Sequence, residues 1–239
     1  MAKVVHLTEK TAKSRLVYAL EDDFDWYVTA HRWTGTFTDA GAAVITAGTT
    51  VLAVSPSDGT VADNDESYIA TTNAVVPIAD NRPFYLEGLI QFTEGNVDDA
   101  NVAFGLASSV AANLIVDDGA GMRASGTVIA IYKVDGGTNW ICVSRNGATA
   151  TVSTSTTTAG GAAQQKLSIE VIESDSLSCT IVFKVDDQIL RDSTTQAYIR
   201  HTFLFSGSAN CQVFAGMKNG AITTAELLNL DWIGLNLHR

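Results

Sequence analysis

The sequence has little of what covalent or metal chemistry needs. Among 239 residues there are three cysteines, four histidines and three prolines. Cys142, Cys179 and Cys211 each sit in an apolar, strand-like context (Trp-Ile-Cys-Val, Leu-Ser-Cys-Thr-Ile-Val, Cys-Gln-Val-Phe). An odd count without Cys-x-x-Cys spacing excludes a disulfide framework and a cysteine zinc site. It reads as buried free thiols made in a reducing cytoplasm. His6, His31, His201 and His238 contain no pair at metal-ligand spacing. There is no phosphate-binding P-loop, no Gly-x-Gly-x-x-Gly opening a helix and no Gly-x-Ser-x-Gly elbow. No run of about 18 apolar residues exists, so a membrane helix is not expected. Nor does an apolar signal region follow Met1, so secretion by that route is not expected. Charged residues are only 17% of the chain, against about 25% in ordinary soluble domains. The surface must be built largely from Ser, Thr, Asn, Gly and Ala.

What is present is a chain that can bury a core. Hydrophobic residues make up 46%, which excludes disorder of the whole chain. A domain of this length buries enough surface to need neither disulfide nor metal. The net charge is −11, which argues against a general nucleic-acid binder. The charge is unevenly spread. Lys3, Lys10, Lys13 and Arg15 face Glu9 alone in residues 1–15, a surplus of three positive charges, so the remainder carries −14. A basic arm on an acidic body suits docking on something acidic, with a frayed solvated terminus as the plain alternative. Residues 1–20 are assigned to this arm and 21–239 to one domain.

Within that domain the strand signal dominates. Residues 127–134 are rich in β-branched and aromatic side chains. Asp135-Gly136-Gly137 then turns the chain into a strand over 140–145, and Asn146-Gly147 turns it again into 148–154, a three-strand meander. Residues 165–173 alternate Leu167, Ile169 and Val171 with Lys166, Ser168 and Glu170, the period of a half-buried strand. Its hairpin partner spans 177–185. Further strands are expected at 44–47, 68–72, 84–92, 102–106, 202–205, 212–217 and 227–237. Helix is scarce, with candidates only at 8–20, where Val17-Tyr18 equally suits a strand, and as a turn within 110–116. The Thr-rich stretch 149–163 extends a strand and then becomes an exposed loop. Short alternating strands at about ten-residue spacing predict an all-β fold of two packed antiparallel sheets.

Acidic clusters are the first candidates for chemistry. Residues 94–99 (Glu-Gly-Asn-Val-Asp-Asp) offer some of the oxygen ligands calcium needs, though in no EF-hand spacing; acidic turns are ordinarily solvated. Glycoside hydrolysis needs two carboxylates about 5–9 Å apart. The nearest pattern, Glu170 and Glu173, has opposite strand parity and predicts opposite faces, so no catalytic residue is assigned. Trp140 and Trp232 lie in apolar strand patterns and are expected in the core. Trp26 and Trp33 flank the arm junction and are candidate anchors for the arm or a partner.

Four stretches carry a resemblance: 92–106, 110–121, 132–140 (Tyr-Lys-Val-Asp-Gly-Gly-Thr-Asn-Trp) and 215–220 (Ala-Gly-Met-Lys-Asn-Gly), with the closing Asn229-Leu-Asp-Trp-Ile233. They resemble the concanavalin-A/LamG-like β-sandwich proteins encoded among tailed-phage structural genes. The resemblance covers about 60% of the chain and rests on turns and strands. It implies a two-sheet jelly-roll sandwich and a non-enzymatic virion component at the capsid surface, a decoration (cement) protein made in the host cytoplasm. Its partner would be the major capsid protein, held through Lys3, Lys10, Lys13 and Arg15, with Trp26 and Trp33 as further anchors. A homo-oligomer, trimer or dimer, is expected, with no cofactor, nucleic acid or membrane. The alternative is a lectin-like or fibre module that recognises host glycans.

Overall fold

A computed structural model describes residues 16–238 apart from 29, 39–40, 47–48, 57–61, 63, 80–81, 117–118, 161–162 and 221–225. Among the described residues there is no α-helix, and hence no helix long and apolar enough to cross a membrane. Among the described residues eighteen strands form two large antiparallel sheets and a two-stranded ribbon.

The nine-stranded sheet is built around β6 (Phe84–Thr93) and β18 (Leu227–His238). On one side follow β13 (Gln165–Ser174), β14 (Ser178–Val185), and then β15 (Gln188–Ile189) and β16 (Arg200–Leu204) on one edge of β14. On the other side β18 carries β4 (Leu52–Ser55), with β3 (Ala42–Ile45) beyond it, and β1 (Leu16–Asp22). The seven-stranded sheet runs β12 (Thr149–Thr158), β11 (Asn139–Asn146), β10 (Thr127–Lys133), β7 (Asn101–Ala107), β17 (Gln212–Lys218), β5 (Glu66–Thr71), β2 (Trp33–Phe37). The ribbon is β8 (Ile115–Val116) with β9 (Gly121–Met122).

The main core lies between the sheets. Leu86, Ile90 and Phe92 of β6 and Ile169, Ile181 and Phe183 of β13–β14 meet Val102, Phe104, Leu106, Ile129, Ile131 and Trp140 of the other sheet. Trp140 packs edge-on against Phe92 at 5.9 Å. The seven-stranded sheet is buried on its far face as well. There Leu114, Ile115 and Met122, around the β8–β9 ribbon, cover Ala103, Ala107, Val128, Ala130 and Tyr132. This explains why β7 and β10 read as continuous apolar runs: both faces of each strand are buried, one against the main core and the other against the ribbon. Gly105 marks how closely the strands approach, since a Cβ there would stand 2.2 Å from the Ile129 carbonyl oxygen.

The expected meander and the 165–185 hairpin are present, with Asp186 and Asp187 both at positive φ in the following turn. All three cysteines are buried free thiols. Four readings change. Leu16–Leu20, taken with the arm, are strand residues on β18, and Leu20 reaches the core; the helix drawn over 8–20 is therefore strand from Leu16 on, and its first part lies outside the described residues. The turn at 110–116 enters β8 rather than a helix. Trp232 is only half-buried, because a bulge between Leu230 and Trp232 shifts the parity of β18. A bulge between Val171 and Glu173 likewise puts Glu170 opposite Val182 and Glu173 opposite Thr180, two positions of one parity. The two carboxylates therefore share the outer face. Each is already engaged there, Glu170 by the Lys184 ammonium and Glu173 by the Thr180 hydroxyl.

Candidate functional site

The Glu66 end of the seven-stranded sheet carries two buried lysines. Lys133 closes β10 and Lys218 closes β17, on either side of the start of β7; both side chains are 1% exposed. The Lys133 ammonium lies 2.7 Å from Glu94 Oε1 and donates to the carbonyls of Asp98 (2.9 Å) and Ala100 (3.1 Å). The Lys218 ammonium donates to Asn113 Oδ1 (2.8 Å) and the Ile115 carbonyl (3.3 Å), with Glu66 Oε2 at 3.7 Å. Glu66 in turn accepts from the Tyr68 hydroxyl and the Asn113 amide. These contacts bear on segment 94–99, whose oxygens read in the sequence as calcium ligands or as an ordinary solvated turn. Its oxygens already surround a cation, and that cation is a side chain. Sequence inspection missed it because Lys133 stands 39 positions away from Glu94 and looks like an ordinary strand-end charge. Among the described residues no group of three or more His, Cys, Asp or Glu side chains is arranged to hold a metal ion.

The Thr71 end is different. Here the chain leaves β1 at Asp22 and enters β2 at Trp33, and the intervening loop is pinned by one carboxylate. Asp22 Oδ1 accepts from the Phe24 amide (3.0 Å); Oδ2 accepts from Arg32 (3.0 Å) and from Trp33 Nε1 (2.8 Å). An aspartate bonding the amide two residues on is the usual start of such a turn. Phe24 takes φ 53° and drives its ring into the core, 5.8 Å from Trp33. The loop is also tied to the end of β5, where the Thr72 amide donates to the Arg32 carbonyl (2.9 Å).

With Phe24 and Trp33 turned inward, Trp26 is left outside. It is 61% exposed and lies 5.4 Å from the His31 ring. Together with Glu21, Asp22, Asp23 and Arg32 these rings line a cavity of about 170 Å³. Asp22 and Arg32 neutralise each other. Among the described residues the side chains of Glu21, Asp23 and Asp25 have no hydrogen bond or ion pair. A second cavity, of about 190 Å³ between β11–β12 and β16, is lined by Ser144, Thr149, Thr151 and Leu204 and presents no exposed aromatic ring.

The two tryptophans therefore part company. Trp26 is available to a partner. Trp33, at 3% exposure, is an internal anchor that ties β2 to the end of β1. His31 and Arg32 were not singled out in the sequence; only the fold turns them back beside Trp26. Lys3, Lys10, Lys13 and Arg15 lie outside the described residues.

No protein-family model and no curated protein matches the sequence. Solved structures do. Lectin I from Ulex europaeus, in complex with the methyl glycoside of α-L-fucose, covers 92% of this chain and 97% of its own at TM-score 0.58 and 10% identity. The fold is the concanavalin-like β-sandwich. A protein of unknown function from Shewanella oneidensis covers 97% of this chain and 90% of its own (TM-score 0.56, 14% identity). A structure reported with endo-acting O-glycanases of human gut bacteria covers 92% and 98% (TM-score 0.56, 11% identity). At such identities the likeness extends to the fold and no further.

Proposed function

We propose that this sandwich is a non-enzymatic carbohydrate-binding protein that holds one sugar ring in the pocket between β1 and β2. The observation that carries this reading is Trp26, exposed at 61% over a cavity rimmed by carboxylates and a guanidinium. A pyranose has an apolar C–H face, which an indole covers, and a periphery of hydroxyls, which carboxylates and Arg can bond; a few convergent polar groups around an apolar surface define such sites. The volume is below the roughly 300–1,000 Å³ of drug-sized sites, which suits a terminal or single ring. The fold neighbours, lectins among them, support the same class. Glycoside hydrolysis uses a carboxyl with a raised pKa. Glu226, which burial pushes up to about 8, does not line this pocket.

Trp26→Ala is expected to lower glycan affinity roughly tenfold, as loss of about 1.4 kcal/mol of stacked contact would. The melting temperature should stay unchanged, because the ring is mostly in solvent. Binding on a glycan array followed by calorimetry measures this. Unchanged affinity in the variant would move the site elsewhere, and release of reducing sugar would overturn the non-enzymatic part.

The virion-surface reading, with a capsid partner and a homo-oligomer, remains a second proposal. It is favoured by the surplus of positive charge in residues 1–15 on an acidic body. Because Leu16–Leu20 belong to β1, the test is removal of residues 1–15 alone. Capsid association should be lost with the sandwich still folded; retained association refutes the arm.

A further inference from the structure

We infer that Lys218 and Asn113 join through an intramolecular isopeptide bond, with Glu66 as the proton carrier. Three groups meet at the Glu66 end of the seven-stranded sheet. The Lys218 side chain is 1% exposed and its ammonium donates to Asn113 Oδ1 at 2.8 Å, one bond away from the carboxamide carbon it would attack. Glu66 Oε2 stands 3.7 Å from the same ammonium. Glu66 is itself held, by the Tyr68 hydroxyl on Oε2 (2.7 Å) and by the Asn113 backbone amide on Oε1 (2.6 Å), so one carboxylate positions both reactants. Burial and an adjacent base are what turn a lysine amine into a nucleophile. Lys133 supplies the contrast. It is equally buried and pairs with Glu94, but it donates to backbone carbonyls and, among the described residues, to no side-chain carboxamide.

The chemistry balances with the groups present. Glu66 Oε2 takes one proton from the Lys218 ammonium, which removes a pair of charges that is costly to keep away from water. The freed amine adds to Asn113 Cγ. The adduct gives up a second proton from Nζ, and the Cγ–Nδ2 bond breaks with both protons on the departing nitrogen. The products are a secondary amide and one ammonium ion, and Glu66 ends as the carboxylate it began as. No oxidant or cofactor enters. Asn113 sits in an exposed turn at φ 59°, which gives the ammonium ion a way out to solvent. The bond ties the turn ahead of β8 to the end of β17, 105 positions further along the chain, and so fastens the β8–β9 ribbon to the sheet it covers.

The test is mass spectrometry of the purified full chain. The denatured protein should be lighter than its sequence by one ammonia, and a proteolytic digest should contain a branched peptide joining Lys218 to Asn113. An unaltered mass with linear peptides only overturns the proposal. So does a lost ammonia without the branch, because an asparagine can also expel ammonia by cyclising on its own backbone. Asn113→Gly suits the positive φ and removes the carboxamide; this variant should show the full mass and no branch. A branch from Lys218 that persists in it overturns Asn113 as the acceptor. Glu66→Gln should slow closure at least a hundredfold, the usual loss on removing a general base, in samples taken at intervals after synthesis. Glu66→Asp, which is still a base, should recover part of that rate. Closure as fast in Glu66→Gln as in the native chain overturns the role of Glu66.

Discussion

Replacing Lys133 by methionine is expected to lower the free energy of unfolding by about 3–5 kcal/mol, the usual cost of removing one partner from a buried ion pair. Methionine keeps the apolar stem of the side chain and removes only the ammonium. Glu94 and the carbonyls of Asp98 and Ala100 then lose the group they converge on. Apart from the lysine, segment 94–100 is held by the Gly136 amide, which donates to the Asp98 carbonyl (2.9 Å), and by Ala100 in the core. Asp98 takes φ 65°, and among the described residues the Glu94 carboxylate otherwise accepts only a long bond from the Ala100 amide at 3.4 Å. A domain stable by about 5–15 kcal/mol would lose a large share of that margin, and urea titration of both proteins reads it as a lower midpoint. A loss below about 1 kcal/mol would mean that water satisfies these oxygens as well as the lysine does. Added calcium should not raise the melting temperature of the native protein, since the ammonium fills the loop.

The second large effect is a stability profile that peaks on the acid side of neutrality. Two buried groups set it. His201 is 1% exposed, with Ser144 Oγ 3.1 Å from Nδ1, Ser153 Oγ 3.2 Å from Nε2, and its ring edge-on to Phe183. Burial pushes its pKa down from 6.5 to about 4. Between these values the unfolded chain binds the extra proton, so stability falls as pH drops from about 6.5 to about 4, by about 3 kcal/mol in all. Glu226 is also 1% exposed, and neither carboxylate oxygen has a hydrogen-bond partner among the described residues. Burial pushes its pKa up from 4.5 to about 8, with Lys133 opposing and Glu94 adding to the rise. Here the folded state holds the proton, so stability falls as pH rises from 4.5 to 8, by about 5 kcal/mol in all. Between about 4.5 and 6.5 the two slopes cancel. From 6.5 to 8 Glu226 acts alone and should cost about 2 kcal/mol. Glu226→Gln, which keeps the shape and cannot ionise, should flatten that alkaline limb. Unfolding free energies across pH 4–9 for both proteins decide it. An equal alkaline slope in the variant would show that another group is responsible.

Much of the sandwich was legible because strand signals are local. Alternation in 165–185, the Gly-rich turn at 135–137 and the apolar runs of β7 and β10 each announce a strand within a few residues. The two bulges were not legible. One inserted residue reverses parity, and no local pattern marks Ile172 or Asp231 as the insertion. That is why Trp232 was placed in the core and Glu170 and Glu173 on opposite faces. Short strands also escaped: β2 and β4 hold four or five residues each and form because they complete a sheet edge, not through their own composition.

The site divides in the same way. Trp26 and Trp33 were visible as a pair, and the acidic run 21–25 beside them. Which tryptophan faces water was decided by Asp22, whose carboxylate binds Phe24, Arg32 and Trp33 at once. By itself the sequence determined the class of the protein: an all-β, acidic, cysteine-poor sandwich without a recognisable catalytic motif. Those properties depend on composition and on two-residue periodicity, which survive without knowledge of the fold. Tertiary structure alone decided where charge is stored. The cation of segment 94–100 comes from Lys133, and the carboxylates of the pocket stand near His31 and Arg32, about ten residues further along the chain. Electrostatic interactions depend on distance through space, and only the folded chain sets that distance.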